Sequence, residues 1–493
     1  MNYLSLLRHA TLVGIIFAVL TLTGAPQSAY GQTQRLELGR RLQRFETAWE
    51  TATAARRAAC VPEMKAAVGS FFGLQLSAAG KHLDRAWHIV RGEDTVGTLE
   101  KSAVGWQVIV TPVCADVAQS KMEIRLTPFY ESDLQAPEHA RLRLQMTDSS
   151  QAVIDNVEFP LSEALTGITW ETGALAAGDH RMMAELVAGD ELFRFPEVII
   201  SRIVNFDNRL QTLQSTLADP GRKLDDTVRA TIRDSEAVLK SMQAGRVQET
   251  DYPADERLRM CDALLLPEAQ AREVFSNLAR QSDTWLSLAV GRKSVPVRVR
   301  APANSAHPLP VLFVFHGAGG SENMFFETYG AGRVIGEGVR RGWLVVAPRQ
   351  SLFGLSLDIA AMLDALEQNF DIDRAQVMLL GHSMGAGQVL RQAGLHPDLP
   401  VAAVALGGGS RMANAERVQS IHWFVGAGDQ DFGRSGAMQL HKSLEAAGVR
   451  SEYHDYRDVE HMVIVQAAID DVFRFLDDTL KSLITKKAGT EPP

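Results

Sequence analysis

The chain has 493 residues, 46% of them hydrophobic and 22% charged, a balance that excludes wholesale disorder. Its formal charge is −9 and no basic cluster stands out, which argues against a grip on nucleic-acid phosphates. Three cysteines are too few for a disulfide-built scaffold, and past the N-terminus no apolar run reaches the roughly 18 residues of a membrane span.

In chain order the first expected element is an export signal over residues 1–31. Arg8 and His9 give a short positive start, residues 11–22 carry no charge, and Ala29 and Gly31 supply the small residues of a cleavage site before Gln32. The chain is then exported, periplasmic or secreted, with no membrane span after cleavage. An uncleaved anchor is the competing reading. Export places Cys60, Cys114 and Cys261 in an oxidising compartment, where one pair can bridge. Cys60–Cys114 is the favoured pair, and the sequence alone does not choose.

Residues 32–100 read as helical, because Leu36, Leu42, Phe45 and Trp49 recur near helical spacing and an Ala-rich stretch follows. Over residues 101–205 the period changes to two. Met122, Ile124 and Leu126 alternate with charged neighbours, as do Leu142, Leu144 and Met146, and the expected fold is a β-sandwich. Residues 206–290 return to a helical pattern, with Leu224, Val228 and Ile232 stepping by four. From residue 291 to 485 short apolar strands alternate with helices, which is the pattern of a doubly wound, mainly parallel sheet in an α/β domain. The expected strands are 311–315, 344–347, 377–380, 401–406 and 422–425. Residues 486–493 read as a disordered tail.

Gly381-His382-Ser383-Met384-Gly385 has the form G-x-S-x-G. Composition alone would supply about 0.2 such matches in a chain of this length, so the context carries the weight. The motif directly follows an apolar strand and opens a helix. A turn that tight strains the backbone at Ser383, and glycines at 381 and 385 leave room for it. His316-Gly317-Ala318-Gly319-Gly320 follows strand 311–315 and can aim backbone N–H groups at a substrate carbonyl. The N–H groups of Ala318 and Met384 are the expected oxyanion donors, each worth about 3 kcal/mol in such sites. His316 reads as structural.

Asp429 follows the strand 422–425 through Gly426-Ala427-Gly428, and is favoured over Asp431 as the acid that would orient a histidine. Asp431 is expected instead to cap the next helix or face solvent. His461 lies in a loop ahead of a helix and is the expected base, while His454, His422 and His441 fall within strands or a helix.

Ser383, Asp429 and His461 thus occur in the order nucleophile, acid, base. That order and placement resemble the α/β-hydrolase superfamily, and within it the compact serine carboxylesterases: carboxylesterase/phospholipase, dienelactone-hydrolase and polyhydroxybutyrate-depolymerase groups. The resemblance covers roughly residues 294–480. It implies a Ser-His-Asp acyl transfer on an ester substrate, polymeric or surface-bound esters included, without metal or organic cofactor. The alternatives are a serine peptidase or amidase on the same fold, and a non-catalytic binding or adhesion protein with a retained hydrolase domain. Only residues 407–420 separate two late strands, so no lid is expected there and the site should be open. No zinc, P-loop or dinucleotide motif is present, and His82 and His88 do not share a helical face. The acyl and alcohol specificity, the role of the N-terminal regions and the oligomeric state are not legible.

Overall fold

A computed structural model describes residues 29–92, 96–132, 134–173, 175–304, 308–350 and 357–488. All but the last three residues of the expected export signal fall outside the described residues. Among those described, no helix is long and apolar enough to cross a membrane.

The chain opens with helices α1 (Ala29–Thr51), α2 (Ala54–Phe72) and α3 (Leu76–Arg91). Along α1, Leu38, Leu42, Phe45 and Trp49 are all buried, since steps of four, three and four keep them on one face. Thr53 caps α2 by accepting the Arg56 N–H, and Gly92 ends α3. Helix α4 (Thr98–Ala103) leads into the β region: β1 (Trp106–Thr111), β2 (Cys114–Asp116), β3 (Lys121–Pro128), β4 (Arg141–Thr147) and β5 (Val153–Pro160) come first. After α5 (Leu161–Thr166) come β6 (Ile168–Glu171), β7 (Gly178–Ala188), β8 (Glu191–Arg194) and β9 (Val198–Ile203). They form one sheet of order β1-β3-β6 and a second of order β2-β9-β7-β4-β5, with β8 paired to β7. Met122, Ile124 and Leu126 of one sheet and Leu142, Leu144 and Met146 of the other point into a shared core, as period-two burial requires.

Helices α6 (Phe206–Ala218), α7 (Asp226–Gln243), α8 (Ala254–Leu264) and α9 (Glu268–Gln281) follow. The helical reading of this region to residue 290 needs correcting at its end. Residues 284–290 form strand β10 (Thr284–Val290), antiparallel to β11 (Lys293–Arg300). The run Trp285-Leu286-Ser287-Leu288-Ala289-Val290 suits either state by composition, and pairing with β11 decides it.

The C-terminal sheet then adds β12 (Leu309–Phe315), β13 (Leu344–Pro348), β14 (Ile372–His382), β15 (Pro400–Leu406), β16 (His422–Gly428) and β17 (Ser451–Tyr456). Its order is β10-β11-β13-β12-β14-β15-β16-β17. β11 pairs antiparallel with both β10 and β13, and the remaining pairs are parallel. Between the strands run α10 (Met324–Glu327), α11 (Arg333–Arg340), α12 (Ile359–Leu366), α13 (Met384–Leu395) and α14 (Arg434–Ala446), and α15 (Ile464–Ala488) closes the chain. The expected disordered tail therefore begins too early, because α15 continues through residue 488. The central strands are buried on both faces, so they read as continuous apolar runs.

The N-terminal helices do not stand apart from this sheet. Leu38, Leu42 and Phe45 belong to the same hydrophobic core as Leu312, Val314, Tyr329 and Phe473. The expected disulfide is absent. Cys60, Cys114 and Cys261 are free and buried, with Cys60 in the helical core and the other two in a separate cluster around α6–α8. Burial pushes the Cys60 thiol up to about 12, so it is a poor nucleophile.

Candidate active site

The parallel strands end at one edge of the sheet, and the candidate residues collect there. Strand β14 runs into α13 through Ser383, whose backbone sits at φ 57° and ψ −116°. The two glycines around it are sterically required. A Cβ on Gly381 would lie 2.2 Å from the Gly385 carbonyl oxygen, and one on Gly385 would lie 1.9 Å from that of Phe315. The strained turn thrusts the Ser383 side chain out of the sheet edge at the head of α13.

Ser383 Oγ lies 2.9 Å from His461 Nε2, and His461 Nδ1 lies 2.7 Å from Asp431 Oδ1. A carboxylate can only accept, so Nδ1 carries the proton and the Nε2 lone pair faces the serine hydroxyl. His461 and Asp431 are both almost fully buried. Phe432 lies over the outer face of the imidazole, with ring centroids 3.9 Å apart.

The structure does not bring Asp429 into this chain, and the expected acid shifts by two residues. Asp429 Oδ1 accepts the Asp458 N–H at 2.9 Å, which holds the two loops together away from the imidazole. The reason lies in the turn. Gly428 packs so closely on Val459 that a Cβ there would be 2.0 Å from the Val459 carbonyl oxygen, and the Asp431 N–H bonds back to the Gly428 carbonyl. A three-residue turn therefore reverses the chain, and its last residue faces the sheet edge. Asp431 also accepts the Gly433 N–H at 2.6 Å, but it makes no cap hydrogen bond to α14 and is buried, so the expected helix-capping or solvent-facing role gives way to the contact with His461.

Ala318 and Met384 are the two expected oxyanion donors. Ala318 lines the cavity that holds Ser383 and His461, and Met384 is the first residue of α13. Neither N–H is taken by another group among the described residues, and the one at a helix start carries a favourable dipole. The glycine loop is pinned from behind. The Gly317 N–H donates to the Tyr329 hydroxyl at 3.1 Å, and Arg35 of α1 donates to the Gly319 carbonyl at 3.1 Å.

Two further histidines serve the frame. His382 is buried beside the serine and donates from Nε2 to the His461 carbonyl at 2.8 Å, which fixes the loop that carries the imidazole. Burial, with His461 beside it, holds His382 well below the ordinary imidazole range, so it stays neutral. His316 donates from Nδ1 to the Gly317 carbonyl and accepts the Gln350 N–H at Nε2. Its burial lowers the ring to about 4. The unfolded chain therefore binds a proton in the window from about 6.5 down to 4 that the folded chain refuses. The stability tied to His316 is complete above that window and is lost as pH falls, by about 3 kcal/mol at the lower end. Urea unfolding at pH 7 and pH 4.5 should show the wild type losing about 2–3 kcal/mol more than His316→Asn. Equal losses in the two proteins would contradict it.

The other histidines lie elsewhere. His454 stacks on Phe424, and His441 bonds Ser451. His82 pairs with Glu63, and no group of side chains among the described residues is arranged to hold a metal ion.

The open site expected from the short connection 407–420 is not what the structure shows. The N-terminal helices cover it instead. Leu38 and Leu42 of α1, Met64, Ala67 and Phe71 of α2 and Leu83 of α3 share a cavity with Ser383 and His461. Lys65 of α2 donates to Gln430 at 2.7 Å, beside the acid loop. No sequence signal assigns these helices to the site, since their apolar faces read only as core.

An eight-stranded sheet of this order, with a strained serine between a central strand and its helix, decides the fold. The part from β10 to α15 has the α/β-hydrolase fold. The sequence matches no family model and no curated protein. Among solved structures the hydrolase fold is similar to a thermostable esterase, at 18% identity and TM-score 0.36 over 41% of this chain and 64% of that one. A ferulic acid esterase matches at 19% identity and TM-score 0.35, over 40% of this chain and 97% of its own. A fluorophosphonate-binding serine hydrolase of Staphylococcus aureus matches at 16% identity and TM-score 0.33, over 39% of this chain and 98% of its own. Each of these likenesses spans about 40% of this chain.

Proposed function

We propose that this protein is an exported serine hydrolase that cleaves carboxylic esters through an acyl-enzyme. The observation that carries the reading is the continuous hydrogen-bonded chain Ser383–His461–Asp431, at 2.9 and 2.7 Å. Ser383 Oγ attacks the ester carbon while its proton passes to His461 Nε2. The carbonyl oxygen becomes an oxyanion, which the free N–H groups of Ala318 and Met384 stabilise. The C–O bond to the alcohol then breaks, and the alcohol leaves with the proton from His461. Water, deprotonated by the same imidazole, attacks the acyl-enzyme and returns Ser383 with release of the acid. Asp431 holds the tautomer and offsets the positive charge that His461 gains. No metal or organic cofactor enters the scheme.

Parallel assays on p-nitrophenyl butyrate and on aminoacyl p-nitroanilides test the reading. Ester turnover should exceed anilide turnover by at least about 100-fold. Comparable or faster anilide cleavage would favour a peptidase or amidase, and no turnover of either would favour a binding protein.

A further inference from the structure

The cavity beside Ser383 encloses about 160 Å³. Its inner wall is apolar and belongs to the N-terminal helices. Leu38 and Leu42 lie one turn apart on α1, and Met64, Ala67 and Phe71 follow a three-four spacing on α2. Both seams face the serine. Such surface is covered in water only at a cost, and substrate contact relieves it.

Orientation follows from the chemistry. The leaving alcohol takes its proton from His461, so it departs on the imidazole side. Phe432 lies there, packed on the imidazole but 63% exposed, and it is not part of the cavity wall. The alcohol therefore faces outward along Phe432. The acyl group runs the other way, past the glycine loop and into the space beneath α1 and α2.

We infer that α1 and α2 form the acyl pocket, and that the acyl group selected is short and apolar: one aromatic ring, or an alkyl chain of about four to six carbons, since an apolar cavity of roughly 150 Å³ holds one benzene. This rests on the serine-esterase reading and adds a substrate class to it. The N-terminal helices are then a specificity element of the hydrolase, built from outside its fold.

The test uses the full chain with p-nitrophenyl esters from acetate to palmitate, together with the benzoate. kcat/KM should rise about fourfold per methylene up to the four-to-six-carbon range. It should then drop at least tenfold by the twelve-carbon ester. Val68→Trp, at a partly exposed position on the cavity wall, should cut the hexanoate-to-acetate ratio at least tenfold. Phe71→Ala should move the optimum to longer chains. Melting curves and labelling by a small fluorophosphonate establish that each variant is folded with a competent serine. A profile that climbs to palmitate, or an optimum that neither variant moves while turnover still depends on Ser383, would overturn the pocket and leave the esterase reading intact. Absence of any Ser383-dependent ester turnover would overturn both.

Discussion

Ser383→Ala is expected to lower kcat for p-nitrophenyl butyrate by about 10⁴-fold or more, with Tm within a few degrees of wild type. The size of the loss follows from the site. Ser383 carries the hydroxyl 2.9 Å from His461 Nε2, and deleting it leaves only the oxyanion donors and the binding cavity. The fold should survive because the elbow depends on Gly381 and Gly385, where no side chain fits, and alanine tolerates the strained φ about as well as serine does. Substantial turnover in a folded variant would move the nucleophile, with Ser321 on the same cavity wall next to be tested.

The second large effect separates two carboxylates that stand two residues apart. Asp431→Asn should lose on the order of 10³–10⁴ in kcat, because an amide neither enforces the Nδ1–H tautomer of His461 nor offsets its charge. Asp429→Asn should remain within about fivefold of wild type, because the side chain makes only a loop hydrogen bond from the Asp458 N–H, which an amide oxygen can still accept. Kinetics on the two single variants at pH 7.5 decide the matter. A crippled Asp429→Asn beside an active Asp431→Asn would contradict the placement of Asp431 at the imidazole. Two active variants would remove the acid from the scheme.

How far the sequence reaches is best seen at these two aspartates. Ser383 is legible because strand, elbow and helix are one local run, and Gly381 is needed by geometry only five residues wide, although Gly385 is also held by the distant Phe315 carbonyl. His461 is legible by its loop position after the last strand. The acid is different. Its place depends on how Gly428 packs on Val459, thirty-one residues away, and local pattern cannot say which residue of a tight turn faces back. The parallel strands from Leu309 onward are visible because burial on both faces writes continuous apolar runs. Thr284–Val290 is not, since an apolar run of that length also fits a buried helix until its partner strand is known. The cover over the site is least legible. Leu38, Met64 and Phe71 show amphipathic spacing, but which surface an amphipathic face meets is settled by long-range packing. The short connection 407–420 correctly leaves no room for a lid at that point, yet the site is walled from the other end of the chain.

The most direct measurement of the central claim is intact-mass and peptide mapping after exposure to a fluorophosphonate probe. A single adduct on Ser383 is expected, formed far more slowly in His461→Ala, because the imidazole must take the serine proton as the phosphorus–oxygen bond forms. No adduct, an adduct on another residue, or labelling of Ser383 at an undiminished rate in His461→Ala would contradict a serine activated by His461.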